Sequence, residues 1–217
     1  MAEMLEMFPN TKYIPVPINR EVCPYREVKQ AKTFVHVAGV KLYEDRNGTE
    51  IVFKAIPLVQ ADVKFIIYTQ HEIEPELMAL VQDDPRVEVR SENLSYGECW
   101  AEGDVSILPR RYGGLSLQLN EAMSSGMIPI CTDIEPQNTF LHHMSLIATC
   151  GSKKVMTRGT EIDCYDVDPA DLAAKIDELA ILPEESIIEL SKFYNDLAES
   201  ISWEKMTPVY LNLLASL

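Results

Sequence analysis

The segment VSILPRRYGGLSLQLNEAMSSGMIPIC, residues 105–131, carries the pattern that decides the fold. A short apolar run at 105–108 is followed by a loop with two glycines, a helical pattern over 116–124 and a second apolar run at 127–131. Short apolar runs bounded by turn residues are typical of buried strands in a parallel sheet. The segment therefore predicts a strand, a helix and a second strand, which together make one βαβ unit.

The same alternation continues on both sides of this segment. Further strands are predicted at residues 34–39, 63–68 and 86–90. Further helices are predicted at residues 49–61, 72–82, 169–179, 184–200 and 203–217. Right-handed crossovers between such strands build a parallel sheet with helices on both faces. We therefore expect an α/β, Rossmann-like fold that ends in helices.

The composition and net charge of the chain exclude some classes of binding partner. The chain has 19 Lys and Arg against 34 Asp and Glu among its 217 residues, a formal charge of −15. Such a surface repels phosphate backbones and anionic lipids, so no nucleic-acid contact is expected. No apolar run reaches the roughly 18 residues of a membrane span, and residues 1–10 lack the basic start of a signal peptide. We therefore expect no membrane span and a cytoplasmic location.

Several patterns that suggest metal sites or disulfides have simpler explanations. The cysteines are odd in number and include no CxxC pair, which favours free, buried thiols. His142 and His143 are adjacent and cannot converge on one ligand. Asp168, two residues after Asp166, is explained as the N-cap of a helix that begins at Pro169. We therefore expect no metal and no cofactor.

Three large or polar side chains are assigned to the core instead of to a site. His36 lies within the apolar run 34–39, which favours a core histidine whose ring nitrogens are both hydrogen-bonded. Trp100 and Trp203 are interpreted as core residues and not as stacking platforms for a ligand.

The loop after residue 108 has the features of an anion site. Arg110 and Arg111 precede Gly113 and Gly114, which let the main chain approach a ligand closely. A helix begins near Ser116, so free amide groups and the positive end of the helix dipole face the loop. A phosphate is the ligand that fits this combination.

Glu121 lies in the second turn of the same helix. Its carboxylate can point back at the pocket, where a neutral diol such as a ribose would supply two hydroxyl donors. The alternative is an ordinary amphipathic helix after a Gly-Gly turn, with Glu121 on the solvent face. The residues by themselves leave these two interpretations open.

Residues 120–133, NEAMSSGMIPICTD, resemble the Leu-Glu-Ala-Met-Ala-x-Gly and Pro-Val-Ile-Ala-Thr-Asp signature of the glycosyltransferase group 1 family, which are retaining GT-B enzymes. The resemblance implies the donor half of a GT-B fold, in which Glu121 holds the ribose hydroxyls. It also implies that the turn Gly113-Gly114-Leu115-Ser116 lies at the donor. The family has a glutamate near the donor sugar at the position of Gly113, so this chain departs from the signature there.

A second match lies upstream. The strand ending at Gly39 and the turn at 45–49 resemble the family's hydrophobic strand and Arg-Lys-Gly turn, whose basic residues bind the donor diphosphate. The resemblance makes Lys41 the candidate for the first basic residue, offset by one position. Asn47 stands where the family has a lysine, and Arg46 is the candidate that compensates for it. The alternative for Lys41 and Arg46 is a solvated charged loop.

The resemblance runs from about Tyr13 to the C-terminus. Residues 91–95 stand where the family's base-contacting loop lies. Proline-rich residues 1–33 are interpreted as a linker-like extended segment, residues 34–199 as the donor-nucleotide-binding domain and residues 200–217 as a C-terminal crossover helix.

Two functions remain open at the level of sequence. In the first, the chain is the donor half of a glycosyltransferase that binds a nucleoside-diphosphate sugar, with the acceptor domain supplied by an N-terminal segment or a partner chain. In the second, the chain is a non-catalytic nucleotide-sugar-binding or regulatory module. Gly113 favours the second function, and Glu121 with the glycine turn favours the first.

Overall fold

A computed structural model describes residues 14–40, 43–91, 94–95, 97–157 and 159–216, with only the main chain of Tyr43. Its central feature is a parallel sheet of six strands in the order β3-β2-β1-β4-β5-β6. The strands are β1 (Thr33–Gly39), β2 (Lys64–Thr69), β3 (Val87–Arg90), β4 (Val105–Leu108), β5 (Ile128–Thr132) and β6 (Leu146–Ile147). This is the strand order of the doubly wound Rossmann fold, and it confirms the predicted α/β class.

Helices connect the strands and close the chain. They are α1 (Thr49–Ala55), α2 (Pro75–Met78), α3 (Leu117–Ser124), α4 (Pro169–Ala180), α5 (Glu184–Ser200) and α6 (Trp203–Ala215). The helix predicted at 49–61 ends at Ala55 and continues as a 3-10 turn that contains Pro57, because proline cannot supply the next amide hydrogen bond. The helix predicted at 72–82 is much shorter, since only Pro75–Met78 is α-helical.

The two-residue strand β6 was not predicted, and neither was a further pair of strands. β7 (Gly151–Thr157) and β8 (Thr160–Asp166) form an antiparallel hairpin separate from the main sheet. The residues of β7 are mostly exposed, so the hairpin lacks the apolar run that identified the other strands. Its position is set by contacts with the loop after β4, described below.

Both faces of the sheet are buried, as the apolar runs predict. On β1 and β2, Phe34 and Phe65 belong to the larger core cluster, while the alternating residues Val35 and Ile66 belong to a second cluster that includes Trp100. Side chains that alternate along a strand point to opposite faces. The sheet therefore lies between two apolar layers, and ligand access is confined to its edges and ends.

The loops after β1 and β4 meet at the centre of the sheet. β1 and β4 are neighbours although the chain leaves them in opposite directions, toward β2 and toward β5. The Arg111 amide donates to the Arg46 carbonyl at 2.9 Å, and Gly48 packs against the Pro109 carbonyl. Open α/β sheets bind ligands at the carboxyl ends of strands where the strand order reverses. We therefore expect the ligand site to lie at these two loops.

The extended segment that precedes β1 packs against the C-terminal helices. The Ile18 amide donates to the Ile201 carbonyl at 3.1 Å, and the Trp203 amide donates to the Ile18 carbonyl at 3.2 Å. Ile18, Cys23 and Val28 are buried. None of the helices in the described part of the chain is long and apolar enough to cross a membrane.

Candidate functional site

Two guanidinium groups converge on Gly113. A Cβ atom built on Gly113 would lie 2.7 Å from Nη2 of Arg46 and 2.9 Å from Nη2 of Arg110. Gly113 has φ +116°, a main-chain conformation that other residues rarely adopt. The close approach and the dihedral angle both require glycine here. Because Arg46 belongs to the loop after β1 and Gly113 to the loop after β4, this contact joins the two loops.

The surroundings of Arg46 and Arg110, called here the Arg46–Arg110 pair, favour the binding of an anion. The Nε atoms of both arginines are buried and, among the described residues, have no hydrogen-bond partner. Arg110 is only 9 % exposed. Burial, and then the nearby charge of Arg46, lower the pKa of Arg110 to about 10. Two neighbouring, buried cations without a carboxylate partner raise the free energy of the folded state, and an anion that binds between them lowers it.

Arg111 differs from the neighbouring Arg110 in that each nitrogen of its guanidinium is hydrogen-bonded within the protein. Its guanidinium donates to the carbonyls of Glu44 and Tyr165 and to the Asp166 carboxylate. All three of its guanidinium nitrogens therefore already have partners, and the side chain fastens the β7–β8 hairpin to the loop. These contacts disfavour the sequence-based assignment of Arg111 as a donor ligand, because they use all three guanidinium nitrogens.

The start of α3 faces the same loop. Ser116 is the N-cap, and its hydroxyl accepts a hydrogen bond from the Leu119 amide at 3.2 Å. Gly113, Gly114 and Leu115 are exposed, and a Cβ on Gly114 would meet nothing within 4 Å. The turn thus leaves open space in front of the helix, as the phosphate hypothesis requires.

Glu121 is buried and does not face solvent. It is 7 % exposed, and its Oε2 atom accepts a hydrogen bond from Nε1 of Trp100 at 3.0 Å. Burial, and then the charge of Glu121, raise the pKa of the Cys99 thiol to about 12. The alternative that placed Glu121 on the solvent face is therefore wrong.

Glu121 and Trp100 line a cavity of about 260 Å³ at the carboxyl ends of β1 and β2. The cavity is also lined by Val37, Gly39, Tyr68, Thr69, Gln70, Leu94, Ser95, Gly97, Cys99 and Gln118. Leu94 and Ser95 come from the loop that the sequence assigned to the base. Glu92 and Asn93 of that loop lie outside the described residues. A nucleoside has the size and polarity that such a cavity accommodates.

The loop after β1 is held in place by hydrogen bonds at Gly39 and Asn47. Gly39 has φ +65°, and its carbonyl accepts hydrogen bonds from the Gln70 amide and from Nδ1 of His71. Asn47 donates to the Ala38 carbonyl at 2.8 Å, so it holds the end of β1. Lys41 lies outside the described residues, and its role stays a prediction.

The carboxylate of Asp45 already binds the amide groups at the start of α1, where another anion could otherwise bind. Its carboxylate accepts hydrogen bonds from the Thr49 amide at 3.0 Å and from the Glu50 amide at 2.8 Å. Because the amide groups of that helix already have a negative partner, an anion would go to the arginine pair and to α3 instead.

The core assignments were correct for two residues and wrong for one. His36 is buried, with Nδ1 bonded to the Ile107 carbonyl at 2.8 Å and Nε2 bonded to the Thr49 hydroxyl at 2.9 Å. Trp100 is 1 % exposed, whereas Trp203 is 52 % exposed and is not a core residue. Sequence reasoning missed the second role of Trp100, although a buried indole N–H needs an acceptor.

The discounted metal patterns behave as ordinary structural features. Asp168 caps α4 by accepting from the Ala170 amide at 2.9 Å, and His142 accepts a hydrogen bond from the Met144 amide. All five cysteines are free, and Cys23, Cys131 and Cys164 are buried. Across the described ranges, no three His, Cys, Asp or Glu side chains are grouped so that they could hold a metal ion.

Comparison with protein families gives one match. Residues 31–180, more than half of the chain, match the family described as Glycosyl transferases group 1. No curated protein sequence matches the chain significantly.

Solved structures share the fold at low sequence identity. Sucrose-phosphate synthase from Thermosynechococcus elongatus superposes with a TM-score of 0.66 at 18% identity, covering 100% of this chain and 57% of the synthase. Anabaena HepE, in complex with UDP and glucose, gives 0.65 at 13% identity over 86% of this chain and 49% of HepE. The C-terminal domain of a group 1 family protein from Francisella tularensis gives 0.63 at 15% identity over 84% of this chain and 97% of that domain. The chain thus spans about half of HepE and nearly all of an isolated C-terminal domain.

Proposed function

This chain belongs to the glycosyltransferase group 1 family, and from that premise we propose that it binds a nucleoside-diphosphate sugar as the donor half of a GT-B glycosyltransferase. The observation that carries the proposal is the position of the Arg46–Arg110 pair. It lies at the reversal point of the sheet, where the loops after β1 and β4 meet, and its buried Nε atoms have no partner in the described part of the chain.

The donor would lie along the ends of the central strands. Its nucleoside occupies the cavity lined by Leu94, Ser95 and Glu121, where the Glu121 carboxylate accepts hydrogen bonds from the ribose hydroxyls. Its anionic part lies toward Gly113, between the arginine pair and the start of α3. HepE, which shares the fold, binds UDP and glucose, and this makes UDP the first nucleotide to test.

The chemistry of transfer follows from this placement. When the bond between the sugar and the diphosphate breaks, negative charge develops on the leaving diphosphate. Arg46, Arg110 and the amide groups at the start of α3 would stabilise that charge, and fixed groups of this kind lower the barrier without rearranging. The guanidinium groups supply the positive charge that a metal ion supplies in other transferases, so we propose that binding needs no metal.

The acceptor half would cover exposed apolar residues of the C-terminal helix. Trp203, Leu211 and Leu214 of α6 are between 52% and 65% exposed. Large exposed apolar groups on one helix are typical of an interaction surface. We propose that an N-terminal domain, or a partner chain that supplies one, packs there and brings the acceptor to the donor.

A cytoplasmic location is part of the proposal. Cys150 is free and exposed, and Cys99 is free and partly exposed. Free exposed thiols persist in reducing compartments, whereas oxidising compartments convert them to disulfides.

Calorimetry on the chain tests the donor site directly. UDP, GDP and ADP are titrated separately, with and without EDTA. We expect one of the three to bind, to raise the Tm, and to bind equally in the presence of the chelator. The absence of heat with all three nucleotides would refute the donor site, and a loss of binding in EDTA would refute the metal-free site.

The alternative function is a module that binds a nucleotide sugar without transferring it. The observation in its favour is Gly113, which removes the glutamate that the family signature places near the donor sugar. An activity assay on the full-length protein, or on its complex with an acceptor domain, distinguishes the two functions. Donor hydrolysis or transfer that Arg46→Gln abolishes supports the transferase, whereas binding without any turnover supports the module.

A further inference from the structure

One face of the β7–β8 hairpin is directed at the loops that form the candidate site. Alternate side chains along a strand point to opposite faces of it. The register of the two strands places four residues on a common face: Lys153, Val155, Cys164 and Asp166. The Lys153 ammonium pairs with the Glu44 carboxylate in the loop after β1, and the Asp166 carboxylate pairs with Arg111 in the loop after β4. The hairpin therefore contacts both loops with the same face.

Tyr112 connects this face of the hairpin to the side chain of Arg46. Tyr112 is buried and forms one apolar cluster with Val155 and Cys164 of the hairpin. The guanidinium carbon of Arg46 lies over the ring of Tyr112, 5.7 Å from its centroid. An aromatic ring attracts and orients a guanidinium but does not neutralise it, so the charge stays available to an anion. The packing of the hairpin thus reaches Arg46 through the Tyr112 ring.

The main chain of Arg46 is tied to the same hairpin. The Arg111 amide donates to the Arg46 carbonyl at 2.9 Å, and the Arg111 carbonyl accepts from the Tyr165 amide of β8 at 2.7 Å. The Arg111 guanidinium also donates to the Glu44 carbonyl at 2.9 Å. Glu44 and Asp45 have φ +54° and +47°, and such conformations in residues other than glycine persist only where the surroundings hold them. The hairpin contacts supply part of that support.

We propose that the β7–β8 hairpin positions Arg46 for the donor diphosphate, with Tyr112 as the positioning residue that contacts its guanidinium. The inference rests on the proposed donor site and adds a role for the hairpin and for Tyr112. A side chain that is already oriented loses less conformational freedom when the ligand binds, and the affinity is higher for that reason. None of the described residues that line the nucleoside cavity belongs to the hairpin. The hairpin should therefore affect the diphosphate and not the nucleoside.

The measured quantity is the diphosphate ratio, defined as the Kd of the nucleoside divided by the Kd of its 5′-diphosphate. The ligands are uridine and UDP, or the guanosine or adenosine pair if that nucleotide is the one that binds. Calorimetry gives the Kd of the diphosphate, and competition against it gives the Kd of the nucleoside. A general loss of structure would weaken both ligands or lower the Tm, whereas a misplaced Arg46 lowers the ratio.

Tyr112→Leu removes the ring but keeps an apolar side chain and the net charge. We expect it to lower the diphosphate ratio by about threefold or more. In the Arg46→Gln background the same substitution should change the ratio by less than about twofold, because the guanidinium that the ring orients is absent. Tyr165→Leu is the matched control on the opposite face of β8, and we expect it to keep the ratio of the wild type.

A second pair of variants tests the hairpin without touching Tyr112. Val155→Ala weakens the packing behind the Tyr112 ring, and we expect it to lower the ratio by about twofold or more. Met156→Ala, on the opposite face at an exposed site, should leave the ratio unchanged. The Tm of each variant establishes that it is folded, and Val155→Ala decides the matter if Tyr112→Leu does not fold.

The contrary results are distinct. If the nucleotide binds but Tyr112→Leu lowers the ratio by less than about threefold, or Val155→Ala and Met156→Ala have equal ratios, the positioning role is excluded and the donor site stands. A change of about twofold or more on adding Tyr112→Leu to Arg46→Gln also overturns the role, because Tyr112 then acts independently of Arg46. If no nucleotide binds at all, the proposed function fails and this inference fails with it.

Discussion

The indole Nε1 of Trp100 donates a hydrogen bond to Oε2 of Glu121 over 3.0 Å, and both side chains are buried beside the candidate nucleoside cavity. The bond joins the 3-10 turn Glu98–Trp100 to the middle of α3. A buried hydrogen bond to a carboxylate restricts the carboxylate to one orientation. Trp100 is therefore a positioning residue for Glu121.

Trp100→Phe should weaken discrimination between ribose and 2′-deoxyribose. Without the indole N–H, Glu121 is less well oriented toward the ribose hydroxyls. The measurement is the dissociation constant of the nucleoside diphosphate that binds and of its 2′-deoxy form. We expect the preference for ribose to fall by about threefold to tenfold, because a hydrogen bond of this kind contributes about 1 kcal/mol. Trp203→Phe, at an exposed site, should keep the preference, and an unchanged preference in Trp100→Phe would exclude the positioning role.

Glu121→Ala should reduce nucleotide affinity by about tenfold or more, since hydrogen bonds to a charged group contribute about 1.5–3 kcal/mol. Calorimetry with the nucleotide that binds measures the effect. Glu121→Gln, which keeps the shape and one acceptor oxygen, should lie between the wild type and Glu121→Ala. Glu178→Ala removes an exposed carboxylate that pairs with Lys175, and it should leave the affinity unchanged. An affinity of Glu121→Ala equal to that of the wild type would contradict the assignment of Glu121 to the ribose.

Gly48→Ala should destabilise the fold at the junction of the two central loops. Gly48 has φ +72°, and an added Cβ would overlap the Pro109 carbonyl oxygen. Strain of this kind costs about 1–3 kcal/mol before the overlap is counted, so we expect the Tm to fall by about 4 °C or more. Gly151→Ala is the matched control, because a Cβ there meets nothing within 4 Å. Equal Tm values for the two variants would show that the loops are not held together at Gly48.

The stability of the protein should fall as the pH decreases from neutral toward 4. The pKa of His36 is lowered from 6.5 to about 4, chiefly by burial, with the hydrogen bond to the Ile107 carbonyl acting in the opposite direction. The unfolded chain therefore binds a proton at His36 between pH 6.5 and 4 while the folded chain does not, and stability rises with pH in this window. His36 makes its full contribution above pH 6.5, and up to about 3 kcal/mol of it is lost by pH 4.

Urea titrations at pH 7 and pH 5 measure this effect. The wild type should lose stability between the two values, and His36→Gln should lose less, because glutamine does not titrate. His71→Gln is the control, a variant of a histidine outside the core of the sheet. If His36→Gln has the same pH dependence as the wild type, another group is responsible for the loss.

The sequence by itself determined the class of fold and indicated the loops of the candidate site. Apolar runs separated by helical patterns predicted the parallel strands, because a strand buried on both faces must be apolar along its length. The glycine turn before Ser116 predicted the start of α3, because glycine adopts main-chain conformations that few other residues adopt. These signals are local, and a local signal can be read without knowing what packs against it.

Only the tertiary structure decided which charged side chains face the site. Arg110 and Arg111 are adjacent and alike in sequence, yet Arg110 is directed at Gly113 and Arg111 at the β7–β8 hairpin. Arg46 joins Arg110 from a loop more than sixty residues earlier, and Trp100 is hydrogen-bonded to Glu121 from a 3-10 turn about twenty residues earlier. These pairings depend on how the parallel strands bring distant loops to one edge of the sheet. No pattern within a single segment contains that information.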